Sequence, residues 1–84
     1  MGATESAMAR YYFDTSIDNA FVDDPEGAEM TDMEAVQAEV SLALADMIRE
    51  SARTSAAGHV AVSVRDESGL VMSASLERKV VVFK

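Results

Sequence analysis

Cysteine and tryptophan are absent from this 84-residue chain, and proline and histidine occur once each. Without cysteine there is no disulfide, no thiolate nucleophile and no thiolate metal ligand. That composition suits a reducing compartment, and a cytoplasmic location is expected. A single histidine, His59, leaves nothing from which to build a histidine-rich zinc site, and it lies at the start of a strand-like run rather than beside a nucleophile and an orienting acid. No G-x-x-x-x-G-K-[ST] or G-x-G-x-x-G run marks a phosphate cradle. No apolar stretch approaches the roughly 20 residues that span a bilayer. The opening M-G-A-T-E-S-A is polar and lacks the apolar region of a secretory signal. Basic residues are also scarce: seven Lys and Arg stand against fifteen Asp and Glu, for a net charge of −8. Nucleic acid binding draws on clustered Lys and Arg, so nucleic acid and membrane are both excluded as partners. An acidic surface suits a basic protein partner instead.

The chain is organised around residues 30–54. Met33, Val36, Val40, Ala43, Leu44, Met47 and Ile48 recur at helical spacing, which predicts a long helix with one apolar face. Thr31 and Glu34 have the spacing of a capping box. Arg49 and Arg53 complement the dipole at the far end, and the pattern is expected to end by Gly58, which is able to take a left-handed conformation. The opposite side carries Ala35, Ala38, Leu42 and Ala45. Alanine is a good helix former, so this back is either propensity alone or a second contact surface.

Strand signals flank the helix. Residues 1–9 read as a disordered leader and 10–84 as one α+β domain. Arg10-Tyr11-Tyr12-Phe13-Asp14 alternates, with Tyr11 and Phe13 on one side and Tyr12 on the other. Residues 15–19 read as a turn, Ala20-Phe21-Val22 as a short return strand, and residues 23–27 as a loop set by Pro25 and Gly27. After the helix, Val60, Val62 and Val64 alternate with Ala61, Ser63 and Arg65. Glu67-Ser68-Gly69 reads as a three-residue hairpin loop that pairs Asp66 with Leu70. Val64 then opposes Met72, Val62 opposes Ala74 and Val60 opposes Leu76, so the apolar pattern and the turn select one register. The expected order is β-β-α-β-β: a four-stranded antiparallel sheet with one long helix on one face. A right-handed crossover suggests the spatial order 2-1-3-4.

Two features remain outside that fold. The last strand overruns its partner as Val80-Val81-Val82-Phe83, an apolar edge of the kind that recruits other chains. Together with Leu42 and Ala38 on the helix back, these residues are the candidate interface of a homodimer. The second feature is an acidic front of Asp14, Asp18, Asp23, Asp24, Glu26, Glu29, Asp32 and Glu34. It lacks the order of a calcium loop and reads as solvated loop and helix-start charge. No catalytic, cofactor or metal residues are assigned.

R-Y-Y-F-D at 10–14, D-P-E-G-A-E at 24–29, D-M-E-A at 32–35 and V-R-D-E-S-G at 64–69 together resemble an uncharacterised family of small bacterial domains. The resemblance implies the fold and no activity. A fold-level likeness to HicB-type antitoxins adds a second function class. The first expectation is thus a non-catalytic binding module acting as a homo-oligomer. The alternative is an antitoxin-like regulator whose acidic hairpin masks a basic partner.

Overall fold

The computed structural model describes residues 8–54 and 58–84. The leader at residues 1–7 lies outside the described residues, while Ala9 already belongs to the first strand. Strand β1 (Ala9–Ile17) is followed by β2 (Ala20–Val22), β3 (Ala28–Met30), helix α1 (Met33–Arg53), β4 (His59–Asp66) and β5 (Gly69–Glu77). The class is α+β, with one helix on an antiparallel sheet. The order β2-β1-β4-β5 matches the expected arrangement, and β3 also pairs with β1.

That extra strand corrects the four-stranded expectation. Pro25 and Gly27 do bend the chain, but the three residues after them run back along β1, pairing Tyr11 with Ala28 and Ala9 with Met30. The first strand is also longer than its aromatic signal. Thr15, Ser16 and Ile17 pair on one edge with Val22, Phe21 and Ala20 and on the other with Val62, Ala61 and Val60. The turn contracts to Asp18 and Asn19, with Asp18 at φ 55. Aspartate tolerates that left-handed angle better than most residues.

The core lies between α1 and the inner face of the sheet. Val36, Val40 and Leu44, four residues apart on the helix, meet Val60, Val62 and Val64, two apart on β4. All six are buried, and the three β4 valines are fully so. Valine suits β4 because its branched side chain packs well on a pleated surface. Tyr11, Phe13, Ile17 and Met30 close one side of this core, and Met72 and Ala74 the other.

Local signals at the helix ends differ from expectation. The cap is Asp32, not Thr31: its carboxylate accepts from the Ala35 N–H at 2.8 Å. A charged acceptor one residue later holds the first turn, so the helix starts at Met33. At the far end the helix stops at Thr54, ahead of the expected terminator Gly58. Glycine is needed there for closeness instead. A Cβ on Gly58 would stand 2.7 Å from the Cβ of Arg78, whose N–H donates to the Gly58 carbonyl at 2.7 Å.

The β4–β5 hairpin keeps the expected register through Val64–Met72, Val62–Ala74 and Val60–Leu76. Its turn is one residue tighter. Asp66 pairs with Gly69 and Arg65 with Leu70, and a bulge beside Val64 absorbs the difference. Gly69 takes φ 129 there, and the Asp66 carboxylate accepts from the Ser68 N–H at 2.7 Å.

Candidate functional site

The outer face of the sheet, away from the helix, holds a polar cluster built on Asp14, Asp24 and Arg65. Its origin is a gap in strand pairing. β2 and β3 pair with the two ends of β1 on the same edge, and between them Phe13 has no strand partner on that side. Asp24 fills the gap. One carboxylate oxygen accepts from the Phe13 N–H at 3.0 Å; the other accepts from Glu26 and Gly27 at 3.2 and 3.1 Å. A backbone N–H away from water needs an acceptor, and here a side chain takes the place of a strand.

Gly27 makes that loop possible. It sits at φ 71, and a Cβ there would stand 2.8 Å from the Tyr11 carbonyl and 2.9 Å from the Tyr12 ring. The loop is thus pressed onto β1 through a residue with no side chain.

Arg65 ties the loop to the sheet. It faces Tyr12 across the β1–β4 ladder, and its guanidinium lies 4.6 Å from the Tyr12 ring centroid, within cation–π range. Nε donates to Asp14 Oδ2 at 2.7 Å, and Nη2 donates to the Asp24 carbonyl at 3.1 Å. Asp14 Oδ1 accepts from the Asp24 N–H at 2.8 Å. Three segments far apart in the chain therefore converge on one cluster.

The electrostatics follow from these bonds. Arg65 beside Asp14 holds that carboxyl below the usual carboxylate range. The N–H groups of Phe13 and Gly27 do the same for Asp24. The Arg65 guanidinium is pushed up by Asp14. Both acids stay ionised at neutral pH, so neither offers a proton for general acid chemistry there. The cluster is built to hold geometry.

The acidic front is therefore not uniformly solvated charge. Asp14 and Asp24 are internally engaged, and Asp32 caps the helix. Glu29 pairs with Arg10 at 3.3 Å, and the Asp18 carboxylate accepts from the His59 N–H at 3.2 Å. Sequence reading missed this division because it depends on which residues of β1 and β4 face each other. Asp14 and Arg65 on outward positions were the available signal.

The candidate interface residues fall on two separate surfaces. Leu42 and Ala38 lie on the exposed side of the helix, with Leu42 64% exposed. Val80, Val81, Val82 and Phe83 follow the end of β5, where the described chain has no strand partner. Val80 is 69% and Phe83 88% exposed. Phe21, which sequence reading passed over, is 76% exposed. It pairs with Ser16 on the outer face, where Ala61 and Ser63 are too small to cover it.

Among the described residues, no helix is long and apolar enough to cross a membrane. A family model described as a domain of unknown function, DUF6894, matches residues 10–77. Comparison with curated proteins and with solved structures returned no match.

Proposed function

The chain belongs to the DUF6894 family of domains of unknown function, and from that premise we propose that it is a non-catalytic interaction module that works as a homo-oligomer. One observation carries the reading: four consecutive large apolar side chains, residues 80–83, stand 57–88% exposed beyond the last strand. Exposed apolar surface of this kind marks an association site. Association through a two-fold axis buries such a segment without leaving a new sticky edge. The bacterial setting rests on the sequence resemblance, and the cytoplasmic one on the cysteine-free composition.

The engaged acids support this reading over the masking of a basic partner. Asp14 and Asp24 spend their oxygens on Arg65 and on backbone N–H groups, which leaves less free charge on the hairpin for a second protein. Sedimentation of the protein beside a Val81→Lys, Phe83→Lys variant tests the proposal. The parent is expected to self-associate and the variant to sediment as a monomer with unchanged circular dichroism. Equal sedimentation of the two would refute it.

A further inference from the structure

β5 is the last strand of the sheet, so among the described residues one of its edges has no partner. The backbone shows which residues face that edge. The Arg78 N–H points inward to Gly58 on the β4 side, at 2.7 Å. Along a strand, successive residues direct their backbone groups to opposite edges. Glu77, Ser75 and Ser73 therefore present theirs outward. The segment after Arg78 has unpaired backbone and exposed apolar side chains. An open strand edge and a free strand-forming segment thus occur in one molecule.

We infer that residues 79–84 of one copy add to the open β5 edge of a second copy, and reciprocally, about a two-fold axis at Arg78. This rests on the self-association proposed above and names its receiving surface. Facing residues of an antiparallel pair lie on the same side of the sheet, so the axis must pass through a residue rather than between two. Charge selects which one. An axis at Glu77 sets that carboxylate against its own copy, and an axis at Lys79 does the same with two ammonium groups. An axis at Arg78 places Lys79 opposite the partner's Glu77, twice. The Arg78 side chain does not oppose this, because it lies back over Gly58: a Cβ there would be 3.2 Å from its Nε.

The same register matches apolar groups. Val80 comes opposite the partner's Leu76, which is 44% exposed in the single chain, and Val82 comes opposite the partner's Ala74. On the other face, Val81 and Phe83 come opposite the partner's Ser75 and Ser73, whose small side chains leave room. The assembled sheet is continuous across the two copies, and its β5 edges are no longer open.

The absence of cysteine makes the test direct. Leu76→Cys and Val80→Cys proteins are mixed and oxidised, and each is also oxidised alone. Facing positions fall within the roughly 4.4–6.8 Å Cα separation a disulfide spans, whereas each residue lies well beyond it from its own copy. A cross-linked dimer from the mixture alone is expected. A dimeric mass with no cross-link in the mixture overturns the exchange but leaves self-association standing; a monomeric mass overturns both. A charge swap gives a readout free of disulfides. Glu77→Lys and Lys79→Glu should each weaken association roughly tenfold, since each places like charges opposite at two symmetric sites. The double variant should recover parental affinity, and a double variant no tighter than the singles contradicts the register.

Discussion

Removing the Asp24 carboxylate should cost this small domain much of its stability. In Asp24→Ala three N–H groups lose their acceptor: Phe13 at 3.0 Å, Gly27 at 3.1 Å and Glu26 at 3.2 Å. The three do not count equally. Glu26 is exposed and its N–H turns to water at little cost, while the Phe13 and Gly27 bonds are partly buried. A buried donor left without a partner costs about 1–3 kcal/mol, and partial solvation places the two together near 2–3 kcal/mol. In a domain of this size each kcal/mol moves the melting temperature by about 4–8 °C, so a fall of roughly 8–24 °C is expected. Thermal unfolding followed by circular dichroism at pH 7 reads it. Asp24→Asn keeps one acceptor oxygen and should fall between parent and alanine variant. Melting of Asp24→Ala within about 2 °C of the parent would show that the carboxylate does not replace a strand partner.

Leu44→Ala empties a site that is 6% exposed between helix and sheet; it should cost about 2–5 kcal/mol in urea titration. Gly27→Ala puts a methyl group 2.8 Å from the Tyr11 carbonyl at φ 71, and a lower melting temperature with an unchanged helix signal is expected. Acid should destabilise through Asp14 and Asp24. Their native pKa values lie below the unfolded ones, so their contribution is fully present above about pH 4, the unfolded carboxylate value. It is lost as pH falls from there through the lowered native values. Arg65→Gln removes the main cause at Asp14, so its melting temperature should fall less steeply over that acid range than the parent's.

Much of the fold was legible because its signals are local and periodic. The spacing of Val36, Val40 and Leu44, and the alternation of Val60, Val62 and Val64, each repeat one structural period and name their own buried face. The hairpin register followed because a slip of one residue would turn those valines out of the core. What sequence reading missed depends on contacts made across the chain. β3 is three residues long and exists only because β1 offers it an edge. The cap moved from Thr31 to Asp32 through competition between two adjacent capping residues. Gly58 was read for its backbone freedom, whereas its use is the close approach of Arg78. The Arg65–Asp14–Asp24 cluster joins residues 10 to 51 positions apart, and no local pattern announces such a pairing. The apolar overrun at residues 80–83 was visible because it is a run, and the structure leaves it exposed.

The mass of the protein in solution at micromolar concentration tests the central claim most directly. Light scattering should give about twice the 9.0 kDa of one chain. That mass should persist in high salt, because the proposed contact is chiefly apolar and strand-paired and its charged pairs are exposed. A mass of one chain across the micromolar range, with residues 80–83 still accessible, would contradict the account.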